Sequence, residues 1–319
     1  MARILSPSDD AIEEAAARIR SGGLVAFPTE TVYGLGADAL DGRAAARIFE
    51  AKRRPHFDPL VVHLASVELI DVVARDVPAP ARALVETTWP GPLTIVLPRR
   101  ADLPEIVTSG LDTVAVRVPA HPVALALLDR AGVPVAAPSA NPFGRLSPTT
   151  AQHVAAGLGD AVDIVLDGGP CRWGVESTIL TFVGEPTILR FGATPVEVIE
   201  ERIGPVARRL VSSSQPEAPG QLLAHYAPRR AKVHVVDGAA PTEPRDAAAY
   251  VAFARAPDAS WGRVEVLSPG GDLREASARL FAVLHALDAE DLDAIYVERV
   301  PDEGLGRAIN DRILRAAAS

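Results

Sequence analysis

The sequence predicts an α/β fold in which a mixed, twisted sheet carries helices on its faces and is followed by a second, smaller α/β unit. Three observations lead there. Strand-like and helix-like stretches alternate along the chain, but irregularly, which suits a mixed sheet better than a regular doubly wound one. The 319 residues, 48% hydrophobic and 23% charged, are enough for two separate cores. Between residues 204 and 230 the character changes, because VSSSQPEAPGQLLAHYAPRR is rich in Ser, Pro and Gly and sets four arginines nearby against the single acid Glu217. This divides the chain into a first domain over 1–205, a linker over 206–230 and a second domain over 231–319. The last is near the lower end of usual domain size.

In order along the chain, residues 8–23 form a helix: Ser8 or Asp9 caps it, acids fill the first turn, Arg18 and Arg20 the last, and glycines end it. A strand starts at Leu24, and Pro28 stops its pairing by removing a donor. Thr29, Glu30, Thr31 and Tyr33 then leave that strand end with three hydroxyls and a carboxylate, while Gly34 and Gly36 let the backbone turn or approach a ligand. A second helix, 42–51, runs into AKRRPHFDPL, where Pro55 and Pro59 forbid continuation. LVVHL, LTIVLP and TVAVRVP read as strands, with a broken helix over 66–88 between the first two. Helices at 121–132 and 149–159 flank a short strand that ends in the polar loop PSAN. Strands over 161–170, 175–182 and 187–193 and a helix over 195–202 complete the first unit. The second reads as strands at KVHVV, AAAYVAFA and RVEVL, a helix over 272–288, the strand DAIYVERV and a last helix over 306–317.

Composition narrows the functional classes. The formal charge of −9 opposes a nucleic-acid footprint spread over the surface, so an anionic ligand has to be held locally. Cys171 is the only cysteine, which excludes an intrachain disulfide and a zinc cluster of cysteines. The N-terminal MARILSPSDD lacks an apolar secretory core and no 18-residue apolar span occurs, so a cytoplasmic protein is expected. Of 32 basic residues only Lys52 and Lys232 are lysines. There is no GxxxxGK[ST] loop, complete GxGxxG, HExxH or GxSxG, which removes the standard nucleotide cradles, zincins and serine-nucleophile elbows.

The polar residues that remain sit where strands meet loops, the usual place for α/β sites. Lys52 and Arg54 suit a solvated helix end or an anion site. His63, at a strand end, suits a bonded core histidine or a ligand contact. Arg117 interrupts an apolar strand, and a guanidinium there needs an anion or carboxylate beside it. Ser139, Asn141, Ser177 and Thr178 add hydroxyl and amide groups.

Taken together, PTETVYGLG, Lys52 to Pro55 followed by PLVVH, WPGPLTIVL, VAVRVP, Ser139 to Asn141 and GVESTI resemble the YrdC-type domain of threonylcarbamoyl-AMP synthases, over about residues 8–203. APGQLLAHYAP (218–228) is similar to the linker of the two-domain members, whose C-terminal domain is a small Rossmann-like unit. The resemblance implies a nucleotidyltransferase that converts L-threonine, bicarbonate and ATP, with Mg²⁺ on the phosphates, into threonylcarbamoyl-AMP and pyrophosphate. The product would feed the transfer machinery that modifies a tRNA adenosine next to the anticodon. Carried over by position, Thr31, His63, Arg117, Ser177 and the Ala137 backbone hold threonine. Lys52, Arg54, Asp58, Thr113, Ser139, Asn141, Ser147, Arg190 and Tyr226 surround ATP, with Lys52 and Arg54 as the catalytic cations and no metal ligand on the protein. A linker bearing His225 and Tyr226 would serve as a lid that keeps water from the labile anhydride. Asp58 stands where the family often has Asn, Ala218 replaces a linker serine and Ala224 an arginine. A carbamoyl-transfer protein of hydrogenase maturation would carry cysteine-rich zinc motifs, absent here. A non-catalytic RNA-binding module is the other reading, which the net charge opposes, so direct tRNA binding is expected to be weak or absent.

Overall fold

The structure, a computed structural model, describes residues 2–210, 216–222, 225–239, 241 and 245–318. Parts of the linker reading, 211–215 and 223–224, and with them the Ala224 departure, lie outside the described residues. The first unit runs β1 (Arg3–Leu5), α1 (Asp9–Arg20), β2 (Val25–Phe27), β3 (Gly34–Asp38), α2 (Gly42–Lys52), β4 (Val61–His63), α3 (Ala79–Thr88), β5 (Leu93–Pro98) and β6 (Thr113–Arg117). It continues α4 (Pro122–Ala131), β7 (Val135–Ala136), α5 (Ala151–Leu158), β8 (Ile164–Leu166), β9 (Thr178–Thr181), β10 (Thr187–Arg190), α6 (Val196–Ile203) and β11 (Ala207–Arg208).

These strands make one 11-stranded sheet, ordered β1-β8-β2-β3-β7-β4-β6-β5-β9-β10-β11. Its ladders are mixed as expected: β4 pairs β6 in parallel, and β5 pairs β6 antiparallel. The apolar stripes of α1 and α4 bury Ile12, Ile19, Leu127 and Leu128 against Val25, Phe27 and Val135. A larger core, holding Ile48 and Phe49 of α2 and Leu84 and Val85 of α3, covers other sheet residues such as Leu35, Val62 and Val116. Helix ends follow local chemistry. Ser8 Oγ accepts from the Ala11 amide at 3.2 Å to cap α1, Asp41 caps α2 through the Arg43 amide, and Arg53 ends α2 in the left-handed region at φ 53°.

Two departures from the sequence reading matter for the site. Residues 34–38 form a strand rather than a loop, antiparallel to β2. A Cβ on Gly36 would come 2.8 Å from both Phe27 Cε1 and Val135 Cγ1, so this glycine serves close packing within a strand, not a turn. The run 28–33 is thereby folded back as a buried connection between two paired strands. β1 was not anticipated: it is three residues long and pairs in parallel with β8, a partner remote in sequence.

The second unit contains β12 (Lys232–Val236), β13 (Arg245–Ala252), β14 (Trp261–Val266), α7 (Leu273–Asp288), β15 (Ala294–Glu298) and α8 (Gly306–Ala317). Its sheet, ordered β12-β15-β13-β14, is parallel throughout. Val233, Val251, Leu280, Leu284, Ile295 and Ile309 fill its core, and Leu146 and Tyr226 pack into the same cluster, so the two units share apolar contacts. Polar contacts cross as well: Ser277 Oγ donates to the Trp173 carbonyl at 2.6 Å, and the rings of His153 and His285 stack 3.9 Å apart. No helix among the described residues is long and apolar enough to cross a membrane.

Candidate active site

The β2–β3 connection, the ends of β4 and β6, the loop after β7, the start of β9, the end of β10 and the linker converge on one cavity. It encloses about 560 Å³ of empty space when its open mouth is included. All five residues assigned to threonine line it: Thr31, His63, Arg117, Ala137 and Ser177. So do Arg54, Ser139, Arg190 and Tyr226 of the nucleotide set. Lys52, Asp58, Thr113, Asn141 and Ser147 do not belong to the lining.

Parallel register sets His63 beside Arg117. His63 Nδ1 lies 3.3 Å from the Val61 carbonyl, and burial, helped by the Arg117 charge, pulls the imidazole down to about 3. The ring is therefore neutral at physiological pH; with its proton on Nδ1 toward Val61, Nε2 is left as an acceptor. The anion that a buried guanidinium requires turns out to be Glu30. Arg117 Nη2 meets Glu30 Oε1 at 2.5 Å, with the two side chains only 4% and 5% exposed. The other Glu30 oxygen accepts from the Ala120 amide at 3.0 Å. Arg117 also donates to Thr31 Oγ1 at 2.9 Å and to the Gly91 carbonyl at 3.1 Å.

Proton accounting fixes one hydroxyl. Thr29 Oγ1 gives its only proton to the Val32 carbonyl at 2.6 Å, so the 2.8 Å contact between Thr29 and Thr31 is donated by Thr31. Thr31 thus points its lone pairs at Arg117 and the cavity. At the far wall Ser177 Oγ pairs with Thr94 Oγ1 at 2.7 Å and accepts from Arg190 at 3.2 Å. A Cβ on Gly192 would fall 2.2 Å from the Ser177 carbonyl carbon, so only glycine lets the chain after β10 pass this close.

The cations differ in availability. Arg190 is buried, bonds only to the Ser177 carbonyl and hydroxyl and to the Pro219 carbonyl, and has no carboxylate in ion-pair range among the described residues. Arg54 pairs with Asp58 at 2.9 Å and also donates to the Asp58 and Pro59 carbonyls. Burial pushes the Asp58 carboxyl up, against the pull of Arg54. Lys52 is 1% exposed, and its Nζ donates to the Ser139 and Asn141 carbonyls at 2.5 Å each. It stands behind the wall and clamps the PSAN loop, and burial, then Arg54, drives its pKa well down. The Asn141 side chain donates to the Pro142 and Arg145 carbonyls, and its buried Oδ1 has no hydrogen-bond partner among the described residues. Ser147 Oγ donates to Glu176 Oε1 at 2.5 Å. Thr113 starts β6, four residues before Arg117, which in a strand is ~13 Å away.

A family model described as Telomere recombination matches residues 17–192, and another described as Threonylcarbamoyl-AMP synthase, C-terminal domain, matches residues 194–318. A threonylcarbamoyl-AMP synthase of Pyrococcus abyssi is 43% identical over 319 residues, covering 96% of this chain and 94% of the relative. The chain belongs to the threonylcarbamoyl-AMP synthase family. A threonylcarbamoyl-AMP synthase of Bacillus subtilis is 40% identical and covers 98% of this chain and 94% of its own. A crystal structure of P. abyssi Sua5 complexed with L-threonine matches with a TM-score of 0.90 at 41% identity, covering 99% of this chain and 97% of that one. The expected architecture, a YrdC-like twisted mixed sheet followed by a small Rossmann-like α/β domain, is the one observed, and the match to that relative extends over both units.

Two carboxylates of the site were not assigned from sequence. Glu30 and Glu176 both stand inside the quoted motifs, but their partners are 87 and 136 residues away. The second partner, Arg312 on α8, carried a fainter signal: with Ile309, Ile313 and Ala316 it falls on the buried stripe of an otherwise amphipathic helix.

Proposed function

We propose that this chain makes threonylcarbamoyl-AMP from L-threonine, bicarbonate and ATP, with release of pyrophosphate. The observation that carries the reading is the convergence of Thr31, His63, Arg117, Ala137 and Ser177, drawn from five separate stretches, on one cavity. It is supported by the family, whose members bear that activity as their name, and by the relative solved with L-threonine.

The chemistry asks for such a site. The threonine nitrogen adds to the bicarbonate carbon, water leaves, and a carbamate results. A carbamate oxygen then attacks the α-phosphorus of ATP while the bond to the β-phosphate oxygen breaks and pyrophosphate departs. Two anions must meet, and unit charges 4 Å apart repel by ~1 kcal/mol in water but ~4 kcal/mol at a protein-like dielectric. Arg54 and Arg190 at the cavity offset that repulsion, and positioning plus electrostatics can serve without a covalent enzyme intermediate. In our reading Arg117, already paired with Glu30, takes the threonine carboxylate, and the neutral His63 accepts from its ammonium or hydroxyl. Lys52 acts by holding the Ser139–Asn141 loop, a more indirect part than a cation on the phosphates.

Mg²⁺ enters as the counter-ion of ATP, held through the phosphate oxygens. Bound there, it would neutralise phosphate charge. Pro219, Gly220, His225 and Tyr226 of the linker line the cavity, which supports a part for this segment in covering the product. The product then passes to tRNA-modifying machinery in the cytoplasm, with little direct tRNA binding by this chain of net charge −9. The test is pyrophosphate release by purified protein with Mg²⁺-ATP: it is expected only when both threonine and bicarbonate are present, and release independent of threonine refutes the reading.

A further inference from the structure

Glu176 and Tyr226 line the cavity, and both are held from behind by Arg312 of α8. The Arg312 side chain is 0% exposed. Its Nε donates to Glu176 Oε2 at 2.7 Å, its Nη2 to the Phe191 carbonyl at 3.0 Å and its Nη1 to Asp311 Oδ2 at 2.7 Å, and its guanidinium lies 5.0 Å over the Tyr226 ring. The remaining Glu176 oxygen accepts from Ser147. One turn on, Arg315 bonds the same Asp311 and the carbonyls of Leu210 and Leu222, on either side of the linker's undescribed stretch. α8 therefore touches the floor of the site, its aromatic wall and the linker at once.

A carboxylate in the wall of a cavity that takes a polyphosphate repels its ligand unless its charge is cancelled on the side away from the cavity. Arg312 stands on that side. We infer that Arg312 is a positioning residue through which the C-terminal unit completes the nucleotide end of the site: it pairs Glu176, which Ser147 holds from the other oxygen, and so sets the Tyr226 ring for the nucleotide. The inference rests on the nucleotide reading of Tyr226 above. Burial alone would raise the Glu176 carboxyl; Arg312, then Arg190 and the Ser147 and Arg312 hydrogen bonds, hold it down at about 2. The other charged or titratable groups that it faces are Lys52 at the end of α2, and His225 and Tyr226 of the linker.

The test uses the full chain and four variants: Arg312→Met, Arg312→Lys, Glu176→Gln and the double Arg312→Met/Glu176→Gln. Arg312→Met is expected to raise the KM for ATP about tenfold or more while the KM for threonine moves less than about threefold. It should also bring a new ionisation into the pH profile of kcat/KM for ATP between roughly pH 5.5 and 8.5, because Glu176 has lost its main cation. That ionisation should vanish in the double variant, and Arg312→Lys should recover part of the ATP affinity. Equal losses for both substrates with an unchanged pH profile would overturn the inference and leave Arg312 a packing residue. If the unmodified chain forms no product, the proposed function fails, and ATP binding by calorimetry still decides this point: about tenfold weaker binding in Arg312→Met supports it, unchanged binding overturns it.

Discussion

Glu30→Gln isolates the ion pair on which the threonine end depends. Glu30 and Arg117 are 5% and 4% exposed and meet at 2.5 Å. Gln keeps the shape and one acceptor for Arg117, but it removes the charge, and it must turn an amide N–H₂ toward either the guanidinium or the Ala120 amide, which now donates to Glu30 Oε2. Stripping a buried cation of its partner costs about 3–5 kcal/mol at the upper end. The retained acceptor and the Thr31 and Gly91 bonds moderate this, so we expect a loss of about 2–3 kcal/mol. At about 2–4 °C per kcal/mol for a chain of this order of size, Tm should fall by roughly 5–10 °C. Differential scanning fluorimetry with and without L-threonine reads it. The threonine carboxylate can stand in for the missing anion, so threonine should lift the variant's Tm by more than it lifts the parent's. A shift under about 2 °C, or equal lifts by threonine, would refute the account of Arg117.

Lys52→Ala and Arg54→Ala should each lose more than about tenfold in turnover, about 1.4 kcal/mol of barrier, and steady-state kinetics showing a smaller loss in either would count against its place in the site. Serine lacks one methyl of threonine, so kcat/KM should favour threonine by a factor of only about 10–200, and a ratio far above that would point to a contact not yet identified. His63 and His225 at about 3 and His153 and His285 at about 4 are all pulled below their ordinary value, by burial first. Below about pH 6.5 the unfolded chain binds these protons and the folded one does not, so stability present above that pH should drain away as pH falls toward about 4. Urea midpoints that stay constant from about pH 7 to 5 would contradict those burials.

Most of the cavity's lining was legible only through the family that motifs such as PTETVYGLG, PLVVH and GVESTI resemble, whereas Arg117 stood out by its own setting. A guanidinium in TVAVRVP called for an anion or carboxylate beside it, and the structure supplies one from the chain itself. That it comes from Glu30 was beyond sequence reasoning, since the β2–β3 connection and β6 meet only through the order of the sheet. Helices with caps and charged ends, such as α1, fell within a few residues of their expected limits. β3 was missed because glycine reads as a turn signal, whereas Gly36 is there to let Phe27 and Val135 close in. Lys52 shows the same limit: a rare lysine reads equally as chance codon use or a chemical need, and only the fold reveals that its ammonium donates to two backbone carbonyls. The tie from α8 to Glu176 joins the two units and leaves only a charged residue on a buried helical stripe as its trace.

The central claim is tested most directly by following the carbon of bicarbonate. The protein is incubated with ATP, Mg²⁺, L-threonine and ¹³C-bicarbonate, and the nucleotide products are resolved by mass spectrometry. The account predicts an adenylate one mass unit heavier than with ordinary bicarbonate, formed one for one with pyrophosphate and absent without threonine. ATP consumed to ADP and phosphate, or an adenylate that carries no carbon from bicarbonate, would contradict it.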